Sequence, residues 1–374
     1  AGNGHAGNGH AGNGHAGGPP PSVAADGDPN VARRVRIAGL GRYLPSRVIS
    51  NADVERRGGL PAGSVDASRA GVQQRRRAAL HETAASMAAH AAREALAAAG
   101  MAAEELDCIL NASGSPDLLI PDGGPLLQHE LGLGDSGIAA FSVHGTCLSF
   151  LCAFETAAAL LTQPHSPYDT ILIASSELTS SGVAPADPHC APLFGDGAAA
   201  AVVRRATGAE GSCVHGHLLS TYGAGHELTT IAHGGSRVPQ FRTRHDDEWA
   251  ERNPRATFDG AHFQMQGEAT LRFIGARIPS TLERLQRGLS TSLGDIAWVV
   301  PHQASGLALE TLSVFGWPQQ QILRTLPQLG NCVAASIPLT LYEHVACGTI
   351  RRGDKILLCG TSAGVSFGGT IITF

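Results

Sequence analysis

Three residues of this 374-residue sequence, Cys147, His302 and Asn331, carry side chains that acyl transfer requires. A cysteine thiolate is a strong nucleophile, a histidine can move a proton, and an asparagine amide can donate a hydrogen bond to an oxyanion. His302 directly follows the apolar run Val299–Pro301, and Asn331 follows Gly330. Each residue alone has a plainer interpretation, as a buried cysteine, a structural histidine and a turn asparagine. Their occurrence together favours one catalytic site.

The segment around Cys147 has the pattern of a strand that turns sharply into a helix. Ala139, Phe141 and Val143 alternate as in a strand, and an apolar pattern with helical spacing begins after Cys147. Gly145 permits the sharp turn. A helix N-terminus lowers the pKa of a thiol, so we expect Cys147 to be the nucleophile and to react fastest with iodoacetamide.

The other cysteines show no pattern that indicates chemistry. The sequence has eight cysteines, and no two of them form a CxxC pair. Cys108 and Cys359 lie within apolar strand patterns, and Cys152 falls on the predicted helix after Cys147, where we expect it to pack. This scatter argues against a metal site and against a disulfide framework, and it favours a reduced, cytoplasmic protein.

Composition excludes several classes of function. The formal net charge is −5 and the pI is near 6.4, so charge does not favour binding to nucleic acid or to an anionic membrane. No apolar run reaches the roughly 18–20 residues that a membrane-spanning helix needs, and no signal peptide is visible. Aromatic residues make up only 5% of the chain, which predicts a core of small, closely packed side chains.

The chain divides into a tail and two similar halves. Residues 1–32, which begin with three Ala-Gly-Asn-Gly-His repeats, have no apolar face to bury and predict a disordered tail. Residues 33–208 would form a first half that carries the nucleophile, and residues 209–374 a second half that carries the histidine and asparagine. Both halves alternate strand and helix patterns in the same order.

Spacing within the two halves also matches. Forty residues separate Asp107 from Cys147, and forty separate Asp295 from Ala335. Such a duplication implies an α/β fold of layered sheets and helices, in which ligands lie beyond the carboxyl ends of strands. In the second half, the pattern predicts one long helix over Gln266–Leu285.

A glycine-containing stretch, Gly360–Val365, is expected to join the last two strands. Backbone N–H groups in such a stretch can stabilise an oxyanion. We therefore expect Ala363 and Gly364 to form an oxyanion hole with the backbone N–H of Cys147. The plainer interpretation is a simple β-turn.

Together these motifs resemble those of the β-ketoacyl-acyl-carrier-protein synthase III branch of the thiolase superfamily, over about Arg34 to Phe374. The resemblance implies a thiolase-like five-layered αβαβα fold from two duplicated halves, a homodimer, and a catalytic triad of Cys147, His302 and Asn331. It also implies acyl-CoA or acyl-carrier-protein thioesters as substrates, and no cofactor. The matching motifs are Gly39-x-Gly41-x-x-x-Pro45, Arg69-Ala70-Gly71-Val72, the Cys147 turn, Phe194-Gly195-Asp196-Gly197-Ala198, Pro301-His302-Gln303-Ala304, Gly330-Asn331-x-x-Ala334-Ala335-Ser336 and the closing glycine-rich stretch.

The sequence departs from this family at positions expected to bind substrate. The tryptophan that many members carry just before Arg69 is missing, and the predicted helix Gly306–Phe315 has no Lys or Arg for docking a carrier protein. Arg69 and Arg272 remain as candidates for binding substrate phosphates. The position that gates the acyl pocket at the dimer interface is Ile120, which is neither a restricting aromatic residue nor a glutamate base.

The function we expect is condensation of acyl thioesters to a β-ketoacyl product, by decarboxylation and through an acyl group on Cys147, in fatty-acid-like, polyketide or secondary metabolism. The alternative is transfer of the acyl group from Cys147 to an oxygen or nitrogen acceptor. Relatives of that kind often carry Asp in place of Asn331, so Asn331 favours condensation. A third hypothesis, a non-enzymatic partner subunit, conflicts with the intact Cys147, His302 and Asn331.

Overall fold

The computed structural model describes residues 32–66, 68, 70–236, 261–287 and 291–374. The predicted tail, residues 1–32, lies outside the described residues apart from Ala32. Strands of the first half are β1 (Val35–Tyr43), β2 (Arg47–Ser50), β3 (Gln74–Arg77), β4 (Cys108–Asn111), β5 (Ala139–Ser142), β6 (Thr170–Glu177) and β7 (Gly197–Arg205). Its helices are α1 (Asn51–Gly58), α2 (Ala84–Ala99), α3 (Gly123–Glu130) and α4 (Ser149–Thr162).

The second half contributes its own strands and helices. The strands are β8 (Cys213–Thr221), β9 (Thr229–Thr230), β10 (Gln264–Met265), β11 (Trp298–Pro301), β12 (Lys355–Ser362) and β13 (Ser366–Thr373). The described helices are α5 (Gly267–Gly275), α6 (Ile278–Arg287), α7 (Gly306–Thr311), α8 (Leu326–Leu329) and α9 (Ser336–Ala346).

Two sheets form the frame of the molecule, one from each half. The first has the strand order β1-β7-β6-β4-β5, and the second has the order β11-β12-β13-β8. In the first sheet β6 pairs in parallel with β4 and antiparallel with β7. In the second sheet β12 pairs in parallel with β11 and antiparallel with β13. The repeated pairing is what a duplicated fold requires.

Helices cover both faces of each sheet. On the outer face of the first sheet, α2 packs against β1, β6 and β7. Between the sheets, α4 contacts β6 and β13, and α9 contacts β7 and β11. On the far side, α6 covers β8 and β13. The order of layers is therefore helix, sheet, helix, sheet, helix, as the resemblance implied.

Small residues let α2 lie unusually close to its sheet. A Cβ atom added at Gly39 would lie 2.2 Å from the carbonyl oxygen of Ala95, and one at Gly41 would lie 2.1 Å from that of Ala91. Any side chain at either glycine would therefore push the helix away. This close packing explains how a chain with few aromatic residues builds its core.

The predicted long helix over Gln266–Leu285 is wrong, because the structure divides it into α5 and α6. The break lies between Gly275 and Ile278. Pro279 is the second residue of α6, and its ring would clash with the carbonyl group of Gly275 in a continuous helix. A glycine and a proline four residues apart therefore end one helix and start the next.

Matching turns lead into the two central helices. Thr146 and Val333 both adopt a left-handed backbone, with φ of 53° and 43°. The hydroxyl of Ser149 accepts the N–H of Gly145 at 3.0 Å, and the hydroxyl of Ser336 accepts the N–H of Cys332 at 3.1 Å. Aligned on these turns, Cys147 corresponds to Ala334. The equal spacing of forty residues in the sequence pairs Cys147 with Ala335 instead, one position later.

Candidate active site

Cys147 lies in a single 3₁₀ turn, Thr146–Leu148, directly before α4. The hydroxyl of Ser149 closes this turn by donating to the carbonyl of Thr146 at 2.7 Å. Leu148 is fully buried and anchors the turn in the core. Cys147 therefore stands where a helix begins, as the sequence predicts.

The end of β12 reaches the Cys147 turn from the other sheet. The backbone N–H of Cys147 donates to Oγ of Ser362 at 3.1 Å, and this hydroxyl donates to the carbonyl of Gly145 at 2.8 Å. The backbone of Ala363, the next residue, lies close enough to the Cys147 sulfur to lower the pKa of the thiol. Two of the three predicted oxyanion-hole groups, those of Cys147 and Ala363, therefore meet at the thiol.

Gly364, the third predicted member of the oxyanion hole, lies in the tight turn between β12 and β13. Its φ of 135° is a backbone conformation that side chains rarely adopt. Residues Gly360 to Ser362 belong to β12, so the connection itself is shorter than predicted and comprises only residues 363–365. The structure thus brings Ala363 to the thiol and gives Gly364 the role of permitting the turn.

The pKa of the Cys147 thiol is raised to about 11, mainly by burial and then by the charge of Glu177. Hydrogen bonds from Ala363 and Ser362 act in the opposite direction. The expected lowering of this pKa by the helix N-terminus is therefore outweighed, because burial disfavours the thiolate more. Cys347, in contrast, is exposed, and hydrogen bonds with Thr349 lower its pKa. Cys347 therefore competes with Cys147 for iodoacetamide, and fastest alkylation at Cys147 stays a prediction.

His302 stands at the carboxyl end of β11, where its backbone N–H donates to the carbonyl of Cys359 in β12 at 2.8 Å. The side chain is only 5% exposed, and burial lowers its pKa to about 4. The imidazole is therefore neutral at physiological pH. Its Nδ1 atom is buried and makes no hydrogen bond with any described residue.

Gln303 fixes the loop that carries His302, a role that the sequence did not reveal. Its Nε2 donates to the carbonyls of Pro301 and Leu323, at 2.9 and 3.2 Å. Its Oε1 accepts the N–H groups of Thr325 and Leu326, both at 3.0 Å. A fully buried amide with all four bonds made holds two loops together at little cost.

The amide of Asn331 has a fixed orientation. Its Oδ1 accepts the backbone N–H of Val333 at 2.9 Å, and its Nδ2 donates to the carbonyl of Ala304 at 3.3 Å. Its backbone N–H donates to the carbonyl of Leu193 at 2.8 Å. The two contacts fix which end of the amide carries the NH2 group, and the second N–H of Nδ2 is left to donate to another group.

Gly360 lies where the histidine loop meets the cysteine turn. A Cβ atom at this position would lie 2.6 Å from Cβ of His302 and 3.1 Å from Cδ2 of Leu148. Only glycine lets the two segments approach this closely. Beside them is a mainly apolar cavity lined in part by His302, Ile274 and Phe367. Its lining suits the uncharged part of a substrate.

Glu177 is a second feature that the sequence reasoning missed. It ends β6, two residues beyond the strand end expected from the apolar pattern, and it is completely buried. The carboxylate accepts the N–H groups of Gly114 and Ser115, at 2.5 and 3.0 Å. A charged residue at the end of an otherwise buried strand is the one signal in the sequence that could have indicated it.

The remaining predicted site residues lie at the surface or outside the described residues. Ile120 is 88% exposed, in a loop whose neighbours Leu118 and Leu119 are also exposed. Arg272 is exposed on α5. Arg69 lies outside the described residues. The gating and phosphate-binding roles of these residues therefore stay predictions.

Metal sites and membrane-spanning helices are both absent from the described part of the chain. It contains no group of three or more His, Cys, Asp or Glu side chains that could hold a metal ion. None of its helices is both long enough and apolar enough to cross a membrane.

Sequence comparisons identify the family. A family model of 3-oxoacyl-[acyl-carrier-protein] synthase III matches residues 141–223, and a model of the C-terminal part of the same enzymes matches residues 287–374. An acetoacetyl-CoA synthase from a Streptomyces species is 34% identical, over 89% of this chain and 96% of the relative. A β-ketoacyl-[acyl-carrier-protein] synthase III from Methylococcus capsulatus is 32% identical, over 92% of this chain and 100% of the relative.

Solved structures agree with these relatives. The crystal structure of 3-oxoacyl-[acyl-carrier-protein] synthase III from Aquifex aeolicus has a TM-score of 0.78 at 26% identity, covering 91% of this chain and 100% of that one. A priming β-ketosynthase from a polyketide biosynthetic pathway has a TM-score of 0.77 at 25% identity, covering 91% and 96%. They confirm the thiolase-like fold. The chain therefore belongs to the β-ketoacyl-acyl-carrier-protein synthase III family and is an acyl-thioester condensing enzyme of that family.

Proposed function

We propose that Cys147 takes an acyl group from a thioester, and that the enzyme joins this group to a malonyl-type thioester by decarboxylative Claisen condensation. The observation that carries the proposal is the fixed amide of Asn331. Its oxygen accepts the N–H of Val333, and its NH2 group uses one of two N–H groups for the carbonyl of Ala304, so the second N–H can serve a substrate as a donor. An enolate oxygen needs such donors, whereas a base-assisted transfer to an alcohol or amine needs an acceptor.

In the first half-reaction, the sulfur of Cys147 attacks the thioester carbonyl. Because the pKa of this thiol is about 11, the proton leaves during the attack, and the neutral imidazole of His302 can take it. The new S–C bond to Cys147 forms, the original C–S bond breaks, and the leaving thiol takes the proton from His302. The N–H groups of Cys147 and Ala363 stabilise the tetrahedral oxyanion.

In the second half-reaction, a malonyl thioester loses CO2 and leaves an enolate. His302 in its neutral form donates through one ring nitrogen, and Asn331 donates through Nδ2, so two hydrogen bonds stabilise the enolate oxygen. The enolate carbon then attacks the acyl carbon on Cys147. The C–S bond to Cys147 breaks, and the product leaves as a β-ketoacyl thioester.

Both substrates are thioesters of coenzyme A or of an acyl-carrier protein, as the names of the relatives suggest. The acetoacetyl-CoA synthase relative and the β-ketoacyl-[acyl-carrier-protein] synthase relatives are named for one carrier each. Arg272 and Arg69 are the candidates for binding the phosphates that these carriers share. The apolar cavity beside His302 provides room for the uncharged part of a thioester.

A homodimer is the assembly that fits this site. β5 is the last strand of the first sheet, so one of its edges has no pairing strand among the described residues. Phe141 in β5 is 38% exposed, and the loop with Leu119 and Ile120 presents further apolar surface, at 66% and 88% exposure. An unpaired strand edge beside exposed apolar side chains favours pairing with a second copy.

The test uses the native enzyme with acyl-CoAs, acyl-carrier proteins and a malonyl thioester labelled at the free carboxylate. We expect intact mass spectrometry to detect one acyl group on the native chain and none on a Cys147→Ala variant. Labelled CO2 should be released only when both substrates are present. Acyl transfer to an alcohol or amine without any CO2 release would instead support the acyltransferase alternative.

A further inference from the structure

Glu177 is a buried carboxylate that the proposed reaction does not use. It is 0% exposed, at the carboxyl end of β6. Oε1 accepts the N–H of Gly114 at 2.5 Å, and Oε2 accepts the N–H of Ser115 at 3.0 Å and the hydroxyl of the same serine. The backbone of Ala334 also lies close enough to this carboxylate to lower its pKa. Burial of a carboxylate is tolerated only when such donors replace water.

These groups belong to two segments that are remote in sequence. Gly114 and Ser115 begin the loop that leads to Ile120, the predicted gate of the acyl pocket. The carboxylate of Asp117, further along this loop, accepts the N–H groups at the start of α2, at 2.7 and 2.8 Å. The loop is therefore fixed at its start and in its middle, and only the part around Ile120 extends freely.

Ala334 belongs to the turn that orients Asn331. Its neighbour Val333 supplies the N–H that holds Oδ1 of Asn331. The two segments also touch, because a Cβ atom at Gly114 would lie 3.1 Å from both Oε1 of Glu177 and Cγ1 of Val333. Glu177 thus connects the start of the loop from Gly114 to Ile120 with the turn that orients the Asn331 amide.

The charge of Glu177 acts on the nucleophile as well. The charge of Glu177 raises the pKa of two thiols, those of Cys147 and Cys332. Burial raises the pKa of Glu177 itself to about 7, although its donors act in the opposite direction. No basic side chain of the described residues is among the groups that shift it.

We propose that Glu177 is a positioning residue that ties the loop from Gly114 to Ile120 to the turn holding Asn331. The proposal rests on the proposed function, in which Asn331 stabilises the enolate. Alkylation of Cys147 is measured beside CO2 release, because it needs no acceptor and reports on the site in the free enzyme.

Two substitutions separate the charge from the bonding. Glu177→Gln keeps the length of the side chain, removes the charge and replaces one acceptor with a donor that faces an N–H group. Glu177→Asp keeps the charge but withdraws the carboxylate by one methylene. Both are compared with the native sequence in a Cys347→Ser background, which removes the exposed competing thiol. Alkylation of Cys147 by iodoacetamide is followed by peptide mass between about pH 7 and about pH 10.

The Gln variant should alkylate Cys147 about tenfold faster in the middle of this range, because loss of a nearby like charge lowers the pKa of the thiol by about one unit. The Asp variant should keep the native profile. Both variants should still load an acyl group on Cys147 but release CO2 at least about tenfold more slowly, since the Asn331 donor is misplaced. Ser115→Ala, which removes only one of the donors, should slow CO2 release less than Glu177→Asp does.

A Gln variant with the native alkylation profile and native CO2 release would overturn the proposal and leave Glu177 as a core residue. If the Gln variant does not fold, the Asp variant decides: native CO2 release from it would equally overturn the positioning role. Absence of CO2 release from the native enzyme would refute the proposed function instead, and the alkylation comparison would still show whether Glu177 acts on the Cys147 site.

Discussion

Ser362 accepts the backbone N–H of Cys147 through its hydroxyl oxygen, at 3.1 Å, while its own proton is donated to the carbonyl of Gly145. One of the two N–H groups proposed to stabilise an oxyanion is therefore already paired in the free protein. An incoming thioester oxygen must displace this hydroxyl from the N–H or share the N–H with it. The same hydroxyl lowers the pKa of the Cys147 thiol, although less than burial raises it.

Replacement of Ser362 by alanine should therefore make Cys147 less reactive before any substrate binds. When the thiolate forms, the Ser362 proton can turn from the Gly145 carbonyl to the sulfur, and a hydrogen bond of this kind contributes about 1 kcal/mol, so without it alkylation by iodoacetamide at a fixed pH should slow by about fivefold. The measurement requires the Cys347→Ser background and peptide-level mass spectrometry. Ser366→Ala is the matched control, because that hydroxyl pairs with Thr221 on the neighbouring strand. Unchanged or faster alkylation in Ser362→Ala would contradict this role.

Asn331→Ala should separate loading from condensation. Acylation of Cys147 depends on the thiol, His302 and the backbone N–H groups, so intact mass should still show the acyl-enzyme. Loss of one oxyanion donor typically slows turnover by about 10²–10³-fold, and labelled CO2 release should fall accordingly. Asn331→Asp should lose condensation as well, because a carboxylate repels an enolate. Undiminished CO2 release from the alanine variant would be incompatible with the proposed role.

Stability should depend on pH through two buried groups with opposite signs. Folding lowers the pKa of His302 from 6.5 to about 4, so its contribution is complete above pH 6.5 and is lost as the pH falls to about 4. Folding raises the pKa of Glu177 from 4.5 to about 7, so its contribution is complete below pH 4.5 and is lost as the pH rises to about 7. Each corresponds to about 3 kcal/mol over its window.

The two contributions nearly cancel in the native protein, and single variants should reveal them. Relative to the native protein, His302→Ala should lose stability as the pH rises from about 5 to about 6.5, because it lacks the His302 contribution while His215, His217 and His344, whose pKa values burial also lowers, are unchanged. Glu177→Gln should gain stability relative to the native protein over the same interval, because it lacks the Glu177 contribution. Urea unfolding at these two pH values measures both changes. Identical pH dependence in the two variants and the native protein would show that neither group contributes as described.

The assembly state can be tested at the exposed loop and the edge strand. Light scattering at micromolar concentration should give the mass of a dimer for the native chain. Ile120→Asp combined with Phe141→Lys should shift the equilibrium toward monomers, because charged groups in an apolar interface are costly to desolvate. Leu80→Lys, an exposed apolar residue in another loop, is the control and should leave the dimer intact. A native monomer would rule out the dimer.

Local patterns in the sequence predicted those parts of the site that lie next to each other in the chain. The strand before Cys147, the helix after it, and the position of His302 after an apolar strand all follow from spacing and from glycine. The reactivity of Cys147 could not be predicted in this way. Burial by the second sheet and the charge of Glu177 set its pKa, and both come from segments far away in the sequence.

The same limit applies to the groups that orient the site. The sequence shows Gln303 as a polar residue after an apolar strand. Three of its four partners, Leu323, Thr325 and Leu326, belong to a segment further along the chain that the sequence does not link to it. Glu177 follows Cys147 by thirty residues and has the appearance of an ordinary strand end. The periodicity of apolar residues indicates which face of a helix or strand a residue occupies. It does not indicate which hydrogen-bond donors from distant segments lie next to that residue.

The position of α4 between the two sheets has a consequence for synthesis of the protein. One side of α4 packs on β6, which follows α4 directly in the chain, while its other side packs on β13, at residues 366–373. Phe150, Phe154 and Leu161 are almost completely buried in the folded chain. As the chain leaves the ribosome, about two hundred residues must follow α4 before this apolar face can be covered. We expect the nascent first half to need a chaperone that shields apolar helices.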